Sequence, residues 1–219
     1  MNSISAYLFD MDGTLVDTER FWTIALCDLL RADGHELPFD EAYDIVHGHS
    51  WNGIYRDICR LFPDEAARSI DEQGDLLKPL YLRAREGADM RIPGSVETFL
   101  ALARHTPCAL VSGSRREDVE ETAQALGIRD SLSCIVSADE CQAGKPAPDG
   151  FLMAARLLGV EPSRCVVFED SLAGVLAGRA AGMRVVALVP SGSADPGVGP
   201  HADLLLSNLA DYRPELLFR

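Results

Sequence analysis

Short apolar runs alternate with amphipathic segments along most of this chain, and that alternation constrains the fold more than any other feature. Apolar runs fall at 5–9, 108–112, 134–137, 165–168, 185–189 and 204–206. Helical patterns lie between them at 96–104, 117–126, 150–158 and 173–181, and Gly127, Gly159 and Gly182 stand just past the last three, where helices stop. Continuous apolar runs separated by helices mark a parallel sheet covered on both faces. Residues 18–90 break the rhythm. They read as helices only, with breaks near 34–38, 48–53 and Pro63. The expected architecture is therefore α/β: a Rossmann-like parallel sheet core formed by 1–17 and 91–219, with an all-helical cap domain, 18–90, inserted after the first strand. The segment 190–200, rich in Gly, Pro and Ser, reads as a surface loop.

In open α/β sheets, ligands bind beyond the carboxyl ends of the strands. The residues there carry chemistry. The first run ends in Asp10-Met11-Asp12-Gly13-Thr14, the second in Ser112-Gly113-Ser114, and the fourth in Glu169-Asp170-Ser171, while Lys145 lies in the loop Gly144-Lys145-Pro146. Asp10 can face a phosphorus atom with one oxygen and a metal with the other. Asp12 can stand beside the leaving oxygen. Glu169 and Asp170 add oxygen ligands of the kind Mg²⁺ prefers. Ser112 and the groups after it, Gly113 and Ser114, can hold phosphate oxygens, as can Thr14, and Lys145 can neutralise both phosphate and nucleophile. With Asp12 protonated, three carboxylates remain, matched by a divalent cation plus Lys145. Without the cation the site would repel a phosphate dianion, at about 4 kcal/mol per close pair for an effective dielectric near 20. A metal requirement follows.

These motifs, in this order, resemble those of the haloacid dehalogenase superfamily of phosphohydrolases, and most of all its subgroup with a helical cap after the first strand, which includes β-phosphoglucomutase and small sugar-phosphate phosphatases. Asp10-Met11-Asp12-Gly13-Thr14 is similar to the first motif, Ser112 within 110–114 to the second, Lys145 within 144–149 to the third, and 167–171 continuing through Gly174 to Met183 to the fourth. The resemblance implies that Asp10 forms an aspartyl-phosphate and that Asp12 protonates the leaving alcohol, then deprotonates the water. It also implies that Mg²⁺ is held by the Asp10 carboxylate, the Asp12 backbone carbonyl and Asp170, with Glu169 nearby. An aspartate at position 12 sets the chain apart from dehalogenases.

The cap decides the substrate. Where β-phosphoglucomutases carry a histidine and a phosphate-gripping arginine, this chain has Trp22 and Trp51. Neither can donate a proton to the nucleophile or pair with a phosphate, which favours hydrolysis over a mutase. The first cap helix has no lysine for a Schiff base, which argues against a phosphonoacetaldehyde hydrolase. Trp22, His49 and Trp51 are the candidates for substrate contact, with His49 in the loop Gly48-His49-Ser50-Trp51; tryptophan faces pack on sugar rings and also fill helical cores.

The expected function is a Mg²⁺-dependent phosphatase of a small phosphorylated metabolite: a sugar phosphate, phosphogluconate or phosphoglycolate. A phosphosugar mutase and a non-catalytic phosphometabolite-binding protein are the alternatives. A net charge of −14 excludes the extended basic face that nucleic acid or an anionic membrane needs. Six scattered cysteines without a CxxC pair read as reduced thiols. No apolar run reaches membrane-spanning length and the first residues do not form a signal peptide, so a cytoplasmic monomer or weak dimer is expected. Eighteen of the twenty basic residues are arginine, which makes a lysine at 145 notable: a compact point charge suits that place.

Overall fold

A computed structural model describes residues 4–46, 51–190 and 197–218. The chain forms two compact units, Met1–Val16 with Arg91–Arg219, and Asp17–Met90.

The first unit is a Rossmann-like α/β fold built on a six-stranded parallel sheet. Its strands are β1 (Ala6–Phe9), β2 (Cys108–Val111), β3 (Cys134–Val136), β4 (Cys165–Glu169), β5 (Arg184–Leu188) and β6 (Leu204–Leu206), in the spatial order β3-β2-β1-β4-β5-β6. β1 pairs with β2 on one side (Leu8 opposite Ala109) and with β4 on the other (Leu8 opposite Val167). The order therefore reverses at β1, and the crevice beside its carboxyl end is the switch point where such sheets bind ligands. Every residue of β1, β2 and β4 is buried, which explains their unbroken apolar runs.

Alternate residues of each strand serve opposite faces. Leu8, Ala109, Val111, Val167, Val185 and Ala187 share one core cluster with Phe151, Ala154, Val175 and Ala177. The last four belong to helices α7 (Asp149–Leu158) and α8 (Leu172–Ala180). On the other face Phe9 stacks on Phe168 at 4.7 Å and meets Phe99 edge-on at 5.1 Å. Phe99 lies in α5 (Ser95–Ala103), and Tyr212 closes this layer against Phe168 at 4.8 Å. Helix α6 (Arg116–Ala125) links β2 to β3. Residues 191–196 of the expected surface loop 190–200 lie outside the described residues; among those described, Val198 is fully buried in the first cluster.

The second unit contains α1 (Glu19–Ala32), α2 (Phe39–Val46), α3 (Trp51–Leu61) and α4 (Ile70–Arg85). Phe21, Ala25, Leu26, Leu29 and Leu30 form one stripe of α1 and pack with Ile54, Ile58, Leu77 and Tyr81. A polar tie closes one end: Arg68 makes paired bonds to Asp33 at 2.6 and 2.7 Å and a third to the buried Glu65 at 3.1 Å. Ser69 and Glu72 form a reciprocal capping box at the start of α4. Of the expected break at 48–53, residues 48–50 lie outside the described residues, while residues 51–53 are helical and belong to α3. No helix among the described residues is long and apolar enough to cross a membrane. The six cysteines are free thiols; Cys108 and Cys165 are buried and the other four partly so.

Candidate active site

The carboxyl ends of β1, β2 and β4 meet at one crevice, and each delivers its motif there. Asp10 follows the last residue of β1, with its amide still bonded to the Phe168 carbonyl at 3.0 Å. The chain then turns: the Met11 carbonyl accepts from Leu15 at 2.9 Å and Val16 at 3.1 Å, and the Gly13 amide donates to the Val16 carbonyl at 2.7 Å. Gly13 holds φ +82°, a conformation suited to glycine. Its missing side chain matters as much, since a Cβ there would lie 1.9 Å from Asp170 Oδ2. Glycine at 13 thus lets the carboxylate of Asp170, just past β4, approach the β1 loop.

Lys145 comes from the loop before α7, 135 residues from Asp10, yet its ammonium bonds Asp10 Oδ1. It also donates to Glu169 Oε1 at 2.6 Å and to the Val111 carbonyl at 3.2 Å. Lysine has three hydrogens to give, and all are engaged. Glu169, the last residue of β4, is 1% exposed. Its second oxygen, Oε2, accepts from the Asp170 amide at 3.1 Å, the Ser171 amide at 3.0 Å and the Ser171 hydroxyl at 2.9 Å. Ser171 then caps α8 by accepting from the Gly174 amide at 3.1 Å. Gly174 makes the packing possible: a Cβ there would stand 1.6 Å from Glu169 Oε1.

Ser112 is buried and its hydroxyl accepts from the Ser114 amide at 3.1 Å. The Ser114 hydroxyl donates to Asp12 Oδ2 at 3.2 Å, which couples the second motif to the first. Asp10, Glu169 and Asp170 each offer an oxygen within 4.8 Å of the others. That donor set fits a hard divalent cation, and a position 13 without a Cβ makes room for Asp170 to come that close.

The Asp10 carboxyl is pushed up to about 8: burial raises it most, the Lys145 ammonium pulls it down, and the neighbouring Glu169 and Asp12 charges push it up. Burial also disfavours the Lys145 ammonium, but the Asp10 and Glu169 carboxylates outweigh it and hold the lysine above its ordinary value. The site therefore keeps its cation firmly and has more acid than one ammonium can neutralise.

Thr14 is fully buried and its hydroxyl has no hydrogen-bond partner. Gly113 is exposed at the end of β2. Trp22 stacks on Tyr81, with ring centres 4.0 Å apart and planes 8° from parallel. The Trp51 indole donates to the Ile70 carbonyl at 3.3 Å, and both tryptophans pack against the core of the helical unit. His49 lies outside the described residues. The sequence reading assigned no role to the Val111 carbonyl or to Ser171. A serine just before an apolar helix is a readable capping signal, whereas the carbonyl's role depends on tertiary contact alone.

A family model described as haloacid dehalogenase-like hydrolase matches residues 4–182. A probable pseudouridine-5'-phosphatase of Drosophila melanogaster is 35% identical over 98% of this chain and 94% of its own length. The bifunctional riboflavin kinase/FMN phosphatase of Arabidopsis thaliana is 34% identical over 96% of this chain, which spans only 55% of that protein. Among solved structures, a HAD family hydrolase of Deinococcus radiodurans R1 with bound phosphate and sodium matches with a TM-score of 0.81 and 29% identity, over 99% of this chain and 96% of the other. With its motifs gathered at one switch point and a model matching most of its length, the chain belongs to the haloacid dehalogenase-like hydrolase family.

Proposed function

We propose that this protein is a Mg²⁺-dependent phosphatase that hydrolyses a small phosphorylated metabolite, of the sugar-phosphate, phosphogluconate or phosphoglycolate type, through an aspartyl-phosphate on Asp10. The enzyme class is phosphoric monoester hydrolase, in keeping with the relatives named as phosphatases. One observation carries the reading: a single ammonium joins Asp10 to Glu169, and Asp170 completes a triad of oxygens within 4.8 Å.

Asp10 uses the oxygen not bonded to Lys145 to attack phosphorus. A bond forms between that oxygen and phosphorus, and the ester P–O bond breaks. Asp12 gives its proton to the leaving alkoxide, which departs as an alcohol. Asp12, now ionised, takes a proton from water; the water oxygen bonds to phosphorus and the bond to Asp10 breaks. Ser114, bonded to Asp12 Oδ2, orients that carboxyl. Lys145 offsets charge on Asp10 before attack and on the phosphoryl oxygens during it. Its Val111 bond, the longest of the three, is the one to exchange when a phosphoryl oxygen arrives.

Asp10, Asp170 and the Asp12 backbone carbonyl would hold the Mg²⁺, which would supply the positive charge that this acid-rich site lacks. Glu169 would stand near the ion, and its bonds to Lys145, Ser171 and the Asp170 amide hold these groups in place around it.

The helical unit serves as a cap that selects the substrate. Hydrolysis is favoured over a mutase because Trp22 and Trp51, at positions where a mutase needs a proton donor and a phosphate clamp, are engaged in packing. Six free thiols support a reducing, cytoplasmic setting.

A panel of phosphomonoesters, assayed for free phosphate with Mg²⁺ and with EDTA, tests the proposal. One phosphate per substrate consumed, only with the metal, is expected. Substrate loss that yields an isomer and little phosphate would point to the mutase. Tight binding of a phosphosugar with no turnover would overturn both.

A further inference from the structure

Lys145 is fixed more closely than its own loop explains. Its three hydrogens go to Asp10, Glu169 and the Val111 carbonyl. A cavity of about 110 Å³ lies alongside Lys145, walled in part by Gly113, Gly144, Gly150, Ala138, Ala143 and Ala147. Apart from Lys145, only Val111 and Phe151 in that wall are bulkier than cysteine. Lys145 Nζ stands 5.3 Å from the centre of the Phe151 ring. That ring is 1% exposed and fixed in the core cluster between α7 and the sheet. A cation within about 6 Å of a ring face is attracted by the ring's quadrupole, more strongly when both are out of water.

We infer that Phe151 is a positioning residue: its ring face holds the Lys145 ammonium beside Asp10 and keeps it from swinging into the adjoining cavity. The inference rests on the phosphatase function proposed above and deepens it by giving an uncharged core side chain a part in the chemistry. The reason lies in what happens when a phosphoryl group arrives. One of the three ammonium hydrogens must then change partner, and during that exchange the hydrogen bonds no longer define one position for Nζ. Attraction to a ring face needs no particular hydrogen, so it persists through the exchange.

The test replaces Phe151 with mono-, di- and trifluorinated phenylalanine, and with leucine as Phe151→Leu. Fluorine withdraws electron density from the ring face while nearly preserving shape. With p-nitrophenyl phosphate and Mg²⁺, kcat/KM is expected to fall with each fluorine, by roughly tenfold across the series, while the melting temperature stays constant. Phe151→Leu should lose at least as much. A flat kcat/KM across the series, or a loss that only follows melting temperature, would overturn the inference. If the wild type releases no phosphate from any ester, the proposed function fails instead. The dissociation constant for inorganic phosphate, measured by calorimetry on the same series, then decides about Phe151: progressive weakening supports the positioning role and a constant value refutes it.

Discussion

Gly174 lies in the first turn of α8, where helix propensity alone says that alanine is better than glycine by up to about 1 kcal/mol. The site says the opposite. A Cβ at 174 would fall 1.6 Å from Glu169 Oε1 and 1.8 Å from its carboxyl carbon, and Glu169 is too deeply buried to step aside. Gly174→Ala should therefore expel the Glu169 carboxylate from its bonds with Lys145, the Asp170 amide, and the amide and hydroxyl of Ser171. At about 1 kcal/mol net for each of these four bonds, less the helix gain, the variant should lose roughly 3 kcal/mol. Lys145 would keep Asp10 but lose its second carboxylate, so phosphate release should fall roughly tenfold or more. Urea unfolding with linear extrapolation measures the first quantity and p-nitrophenyl phosphate turnover the second. A double-mutant cycle isolates the cause: in a Glu169→Ala background the same Gly174→Ala change should cost nothing or stabilise slightly, because the clashing group is gone. A Gly174→Ala protein as stable and as active as wild type would refute the claim that Glu169 organises the site.

Two further outcomes follow from the same geometry. In EDTA, Asp10 keeps its proton to about pH 8 in the folded chain but only to about pH 4 when unfolded. The stability this confers is complete below about pH 4 and is lost as pH rises toward 8. Between pH 5 and 8 the urea-derived stability of the wild type should drop more than that of Asp10→Asn, by on the order of 4 kcal/mol at most, and Mg²⁺ should restore part of it; parallel pH curves would dismiss the assignment. Asp12→Ala removes the group that serves both proton transfers, so turnover should fall by about 100-fold or more, and with an activated ester the covalent intermediate should accumulate in quenched samples; unchanged turnover would remove Asp12 from the mechanism.

The sheet was legible because buried parallel strands are apolar on both faces, and the runs that mark them stand out from the helices between. The ends of elements were less so where a charged residue is pulled inside. β4 extends to Glu169, opposite Ala187, although a glutamate closes the apolar run. β5 begins at Arg184, whose guanidinium bonds the Leu217 carbonyl and covers the Phe218 ring. The positions of the acids at strand ends and of Lys145 in the loop before α7 could be read from motif and spacing. Their contacts could not: the bonds of Glu169 to Lys145 and Ser171, and the space left for it by Gly174, arise only once the chain is folded. Trp22 and Trp51 could equally pack or bind, because an indole suits both, and the stack on Tyr81 and the bond to Ile70 depend on how α1, α3 and α4 assemble. Phe151 gave no signal at all, since a phenylalanine in an apolar helix face reads as core.

Everything in the mechanism turns on whether a phosphoryl group passes through the Asp10 carboxylate. Acid quenching during turnover, followed by peptide mass spectrometry, measures this directly. The peptide containing Asp10 should carry the added mass of one phosphoryl group in the wild type with Mg²⁺, and none in Asp10→Asn. Full phosphate release by Asp10→Asn, or a phosphoryl adduct on a different residue, would contradict it.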